Sequence, residues 1–198
     1  MARTWHRDSA ASRRRDSRPV AVCARHHVRS VEMNSSALVE VVIPTYNQAD
    51  FLLVALQSVI AQDHQDWVAT VVNNLSSDHT RDVVLELADS RVRIVDFANH
   101  GVIAASRNLA IRDSRAEFIA FLDSDDWWRP TKLSTCLGRF DDDVDLVCHA
   151  EEWRSDHSNR IVRYGPQHRM GYREMLLGGN CLSTSAIVGR TPVFNNSA

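Results

Sequence analysis

Three carboxylates end an apolar run in the stretch FIAFLDSDDWWRP, residues 118 to 130. They are Asp123, Asp125 and Asp126. Like charges this close repel, and a buried carboxylate is costly unless something positive meets it. The cluster therefore either lies in water or accommodates a cation. Asp123 and Asp125 are two positions apart and project to one side if the chain stays extended, with Asp126 on the other. Such a pair suits a hard divalent ion that keeps waters and completes its shell with a diphosphate. Taken alone, the triplet reads more simply as a solvated acidic loop with Asp126 capping the next helix. Its place at the end of a buried segment, with tryptophans beside it, favours the cation.

Two further polar clusters share that kind of position: PTYN (44–47) and NNLSSD (73–78). Each follows a short β-branched run, LVEVVI (38–43) and WVATVV (67–72), which reads as a buried strand. The first strand is expected to stop at Pro44. RVRIVDF (91–97) and EFIAFL (117–122) read as two more strands. Between them NQADFLLVALQSVIAQ, SDHTRDVVLELADS and GVIAASRNLAIRDS show helical spacing, with Asn47 placed to cap the first. Strands alternating with helices imply an α/β fold, a mostly parallel central sheet flanked by helices. Ligands of such sheets bind beyond the carboxyl ends of the strands, where all three polar clusters fall. Past Pro130, TKLSTCLGRF reads as a helix, DLVCHAEEW (145–153) as one strand, and 154–169 as a loop or hairpin. GYREMLLGG reads as a short helix and STSAIVG as a last strand, with no clear closing element in RTPVFNNSA.

The chain has 198 residues and a formal net charge of -2, unevenly spread. Residues 1–31 hold eight Arg and two Asp, so the remainder is acidic; Lys132 is the only lysine. Residues 1–37 lack any period and read as a disordered Arg-rich extension, with Met33 as an alternative start and residues 1–32 expected to be dispensable. The domain proper is expected over 38–198. Four scattered cysteines without CxxC spacing fit reduced core thiols in a cytosolic protein. No apolar run approaches the roughly 18 residues of a membrane span. A nucleic-acid partner would rest on the Arg-rich arm alone and is not expected. A dinucleotide-dependent oxidoreductase would carry G-x-G-x-x-G after the first strand, where PTYN stands instead.

The segments VVIPTYNQADFLLVALQSVIAQ, VATVVNNLSSD, NHGVIAASRNLAI and EFIAFLDSDDWWRPTKL come in the order and spacing of the family 2 glycosyltransferases, which this chain resembles over 38 to about 138 and more weakly to about 190. The resemblance implies a Rossmann-like GT-A fold and transfer of a sugar from a nucleoside-diphosphate sugar to an acceptor hydroxyl, metal-assisted and inverting, in cell-envelope polysaccharide synthesis at the cytosolic membrane face. The acceptor class, whether glycan, lipid or protein, stays open. It implies that Pro44, Thr45, Tyr46 and Asn47 line the nucleotide pocket, with the Tyr46 ring facing the base. Asn74 stands where the family usually has the aspartate that accepts the base N–H, Asn73 where it usually has another aspartate, and Leu75 where it usually has Gly or Asn. An amide oxygen accepts without charge assistance, so nucleotide preference is open. Arg107 is implied to reach the diphosphate or the sugar. Asp125 is implied as the ligand of a divalent cation (Mn2+ or Mg2+) at a DXD motif, and Asp123 as a contact to the ribose, the sugar or the metal. Trp127 and Trp128 are expected to pack the next helix. Relatives place the catalytic base in an acidic pair beyond the strand matched by STSAIVG; no such pair follows here, so the base is unassigned and the acceptor side reads as incomplete. Glu151 and Glu152 lie some forty residues too early and read as solvated strand ends. A nucleotide-sugar-binding fragment without turnover is the competing expectation.

Overall fold

The computed structural model describes residues 21–23, 38–155, 158–162 and 182–195. Nine strands and five α-helices are described among them. They are β1 (Ala21–Cys23), β2 (Val39–Thr45), α1 (Ala49–Ile60), β3 (Trp67–Asn73), α2 (Thr80–Leu87), β4 (Val92–Asp96), α3 (Ile103–Asp113), β5 (Phe118–Phe121), α4 (Lys132–Leu137), β6 (Leu146–Cys148), β7 (Glu151–Ser155), β8 (Ser158–Val162), β9 (Ile187–Arg190) and α5 (Thr191–Asn195). A 3-10 turn, Thr184–Ala186, leads into β9.

Seven strands form one sheet in the order β1-β6-β9-β5-β2-β3-β4. β5, β2, β3 and β4 run parallel, and β9, β6 and β1 extend the sheet antiparallel from β5. The chain passes from β2 outward to β3 and β4 and then returns to the other flank of β2 with β5. That reversal opens a crevice at the carboxyl ends, where ligands of open α/β sheets bind. Every residue of β2 and β5 is buried, as expected of strands covered on both faces. α1 packs Leu52, Leu56 and Val59 into the larger core with Trp67, Phe118 and Leu133. α3 covers the other face through Ala110 and Ile111, which pack with Val42, Val72 and Phe121. Glu40, buried within β2, is held by Arg93 at 3.2 Å and by the Thr70 hydroxyl.

The sequence reading and the structure part at four places. β2 continues through Pro44 to Thr45. Alternate residues of β2 bond to opposite neighbours: the Val42 carbonyl accepts from Leu122, and the Thr45 carbonyl accepts from Asn74. Pro44 thus turns its missing N–H toward β5, whose pairing with β2 has already ended at Val42↔Phe121. The expected single strand 145–153 is two: β6 belongs to the main sheet, and β7 pairs only with β8 in a separate hairpin. Thr191–Asn195 closes the described chain as a short helix, placing Phe194 edge-on to Phe121 with ring centroids 5.2 Å apart. Finally, Ala21–Cys23 pairs antiparallel with Leu146–Cys148, so these three residues of the Arg-rich extension are strand rather than disordered. The rest of that extension, and the helix expected at GYREMLLGG, lie outside the described residues. Cys136 is a buried free thiol, in line with a reduced core cysteine, and Cys148 is buried as well.

Candidate active site

The loops after β2 and β3 lock onto each other. Asn47 adopts a left-handed backbone, φ 51°, a conformation that asparagine tolerates better than most residues. Its N–H donates to the Ser76 hydroxyl at 2.9 Å, and its Oδ1 accepts from the Ser77 N–H at 2.8 Å. Asn47 therefore does not cap α1; the cap position is Gln48, and no side chain of that residue bonds the helix start. The cap comes from across the site: Asp78 Oδ2 accepts from the Ala49 N–H at 3.0 Å, while its Oδ1 takes the Thr80 N–H and hydroxyl. Burial works to raise the Asp78 pKa, but the Thr80 and Ala49 hydrogen bonds outweigh it and hold the carboxyl below its usual range. Tyr46, between these locked residues, is 57% exposed and offers a ring face at the rim. Thr45 is buried at the strand end and its Oγ1 has no partner.

The two departures from the family aspartates are both accommodated. Asn73 is buried; its Nδ2 donates to Asp96 at 2.8 Å and its Oδ1 accepts from the Ser76 N–H at 3.1 Å. The Asn74 Oδ1 accepts from the Asn99 backbone N–H at 2.9 Å. A backbone N–H is a donor only, so it fixes the amide orientation with the oxygen toward Asn99. Leu75 sits at φ 55°, a backbone position that suits the glycine or asparagine usual there. The loop after β4 turns at His100 and Gly101, both with positive φ, and Asn99 braces it by donating to the Ser106 hydroxyl of α3 at 2.9 Å.

α3 then presents Arg107, whose Nη2 donates to Asp123 Oδ1 at 2.5 Å. Both side chains are mostly withdrawn from water, at 17% and 33% exposure, so the pair is an ordered part of the floor. The Arg107 Nε is buried and has no partner. Beyond β5 the chain does not stay extended. The Asp126 N–H bonds back to the Asp123 carbonyl at 3.0 Å, closing a turn with Ser124 and Asp125 at its tip. The turn returns Asp126 toward Asp123 instead of sending it to the opposite side, because alternation of side chains holds only along an extended strand. Asp125 is left exposed at the tip. Ser124 is buried and hydrogen-bonded to Gln48. Ser185, from the segment before β9, accepts the Asp123 N–H at 3.0 Å. Its carbonyl accepts from the indole of Trp128, which is buried as expected of a packing residue.

Burial raises the Asp126 carboxyl to about 6; a hydrogen bond from Ser185 opposes this, and the charges of Asp125, Glu151 and Asp123 add to it. Arg107 is committed to Asp123, so a surplus of negative charge faces the crevice. No group of three or more His, Cys, Asp or Glu among the described residues is arranged to hold a metal ion by itself. That donor set fits a hard divalent cation taking one or two carboxylates and drawing its other ligands from water and phosphate. Asp125 would be the open ligand of such a site, and Asp123, already ion-paired, the flanking one.

The structure thus brings Thr45, Asn47 and Asn74 together on one side of the crevice and Arg107, Asp123 and Asp125 on the other. It adds Asn99 and Ser185, which bond Asn74 and Asp123, and Asp78, which ties the loop after β3 to the start of α1. Nothing local in SDHT or STSA marks these residues; only the return of the chain to the same edge of the sheet gives them partners.

A profile of glycosyl transferase family 2 matches residues 40–196. The chain is 38% identical over 96 residues to the UDP-Glc:alpha-D-GlcNAc-diphosphoundecaprenol beta-1,3-glucosyltransferase WfgD of Escherichia coli, covering 48% of this chain and 38% of the relative. It is 26% identical over 160 residues to the WfaP enzyme of the same description, also from Escherichia coli, covering 81% and 64%. The chain therefore spans less than two thirds of the length of these relatives. Among solved structures, a mannosyltransferase of Pyrobaculum calidifontis in complex with GDP-Man and Mn2+ is similar with a TM-score of 0.51 and 25% identity, over 55% of this chain and 34% of that one. With the matched profile extending over most of the chain, the sheet order and the DSDD turn in place, this protein belongs to glycosyl transferase family 2.

Proposed function

We propose that this chain binds a nucleoside-diphosphate sugar across the carboxyl ends of β2, β3 and β5 and transfers the sugar, with inversion, to an acceptor hydroxyl. The observation that carries the reading is the Arg107–Asp123 pair at 2.5 Å beside an exposed Asp125. One cation of the protein is already matched there, and one carboxylate is left for a cation that arrives with the ligand. The base lies against Tyr46 and Asn74. Thr45 Oγ1 and Arg107 Nε, buried polar atoms without partners among the described residues, are available to ligand oxygens. A divalent ion at Asp125 would neutralise charge on the departing diphosphate. Asp123, anchored by Ser185 and Arg107, keeps the turn and its neighbouring carboxylates fixed as that charge develops. The acceptor is a lipid-linked saccharide, as the names of WfgD and WfaP suggest, met at the cytosolic face of a membrane. No helix among the described residues is long and apolar enough to cross a membrane.

Calorimetric titration with UDP, GDP and CDP, each with and without Mn2+, tests this reading. Binding that appears or strengthens at least tenfold with Mn2+ supports it. Absence of binding by all three nucleotides in both conditions overturns it.

A further inference from the structure

The β7–β8 hairpin has two unlike faces. Residues directly opposite in an antiparallel ladder share a face, and Glu151 pairs with Val162, Glu152 with Ile161 and Trp153 with Arg160. The Glu152 face is spent on anchoring. Glu152 accepts from Arg129 at 2.5 Å and from Arg154 at 3.1 Å, and the Arg154 guanidinium lies 5.1 Å from the Trp127 ring centroid. This docks the hairpin on the DSDDWWR loop.

The Trp153 face is not spent in that way. Trp153 is 55% exposed, yet its ring is oriented, because Nε1 donates to Glu151 Oε2 at 3.2 Å. The other Glu151 oxygen accepts from the Ser183 hydroxyl. Two residues on, Ser185 holds the Asp123 N–H, so the indole and the Glu151 carboxylate stand beside the DSDD turn. Among the described residues Glu151 is met by neutral donors, whereas its neighbour Glu152 is met by two arginines. An ionised carboxylate has about four lone-pair sites, so Glu151 keeps acceptor capacity after these two bonds.

An oriented, exposed indole face next to a carboxylate with acceptor capacity is matched to a pyranose. The C–H face of the sugar stacks on the ring, and the hydroxyls at its edge donate to the carboxylate. We propose that Trp153 and Glu151 form a subsite for the acceptor sugar, next to the donor carboxylates. The subsite rests on the glycosyltransferase reading for the identity of its occupant.

Saturation-transfer difference NMR with a panel of methyl pyranosides (glucoside, galactoside and N-acetylglucosaminide), with and without UDP and Mn2+, tests it. At least one glycoside should give transfer from the wild type. Trp153→Ala and Glu151→Gln should each cut that signal at least fivefold. Ile161→Ala, equally exposed on the opposite face, should leave it unchanged, and UDP affinity should stay within twofold in Trp153→Ala and Ile161→Ala. UDP binding without any glycoside signal, or a signal insensitive to Trp153, overturns the subsite and leaves the donor reading intact. A Trp153-dependent glycoside signal without UDP binding supports the sugar subsite and overturns the donor reading.

Discussion

The two sides of the crevice are organised on opposite electrostatic principles. On the β2–β3–β4 side, neutral hydrogen bonds satisfy nearly every group: Asn47 with Ser76 and Ser77, Asn74 with Asn99, Asn99 with Ser106. Two carboxylates on this side are held in the charged form, Asp78 by Thr80 and the Ala49 N–H and Asp96 by Asn73 and Arg81. On the β5 side, burial and the charges of Asp125, Glu151 and Asp123 raise Asp126, and of these carboxylates Asp123 has an arginine. The first side is almost fully hydrogen-bonded without a ligand, with Thr45 Oγ1 left over among the described residues. The second gathers charge that a bound cation would relieve. A pocket for a nucleotide sugar needs both: a preorganised floor for the base and an unmet charge for the metal and diphosphate.

The sharpest way to break this contrast is at the tip of the turn. Asp125→Asn removes one charge at constant size and should weaken Mn2+-dependent nucleoside diphosphate binding by roughly tenfold or more, about 1.4 kcal/mol. Calorimetry with and without Mn2+ reads this directly, and the metal-free affinity should barely change. An equal loss in both conditions would show that Asp125 contacts the nucleotide itself.

The pH dependence of stability should separate the two sides by sign. With Asp126 raised from 3.8 to about 6, the folded state holds a proton that the unfolded state has lost within that window. Asp126 therefore makes stability fall as pH rises from about 4 to about 6. Asp78, depressed below 3.8, does the reverse: its stabilisation is present above the unfolded value and is lost as pH falls from there through its lower folded value. Urea midpoints across this range should rise on the upper limb in Asp126→Asn, which removes the repelled carboxylate. A variant with the wild-type slope would remove Asp126 from the cluster.

A smaller effect is expected from the neutral side. Asp78→Ala strips the start of α1 of its cross-loop acceptor and should cost about 1 kcal/mol, the usual penalty for a lost cap. Chemical denaturation measures it, and no loss would mean that water replaces the carboxylate at Ala49. The smallest effect concerns base choice. With the Asn74 oxygen turned to Asn99, the amide presents donors rather than an acceptor elsewhere. Asn74→Asp restores a charged acceptor and should tighten UDP by several-fold, on the order of 1 kcal/mol, while leaving CDP unchanged or weaker. No change with either nucleotide would place the base away from Asn74.

The sequence by itself determined the order and kind of the elements that build the crevice. LVEVVI, WVATVV and EFIAFL are short β-branched or aromatic runs bounded by polar loops, and each forms a buried parallel strand. It also placed PTYN, NNLSSD and DSDD at the carboxyl ends of those strands, because a strand's direction and the polar break after it are local properties. Tertiary structure alone decided which side chains meet. Asp123 pairs with Arg107 from sixteen residues away and is anchored by Ser185 from sixty-two, distances along the chain that no local pattern encodes. It decided that DSDD turns instead of extending, since the Asp126 N–H finds the Asp123 carbonyl once β5 ends. It also split DLVCHAEEW between the main sheet and a hairpin, because β6 finds an edge beside β9 while β7 finds β8. Periodicity reports what each segment buries; the partner of a polar group is set by which segments the sheet brings to the same edge.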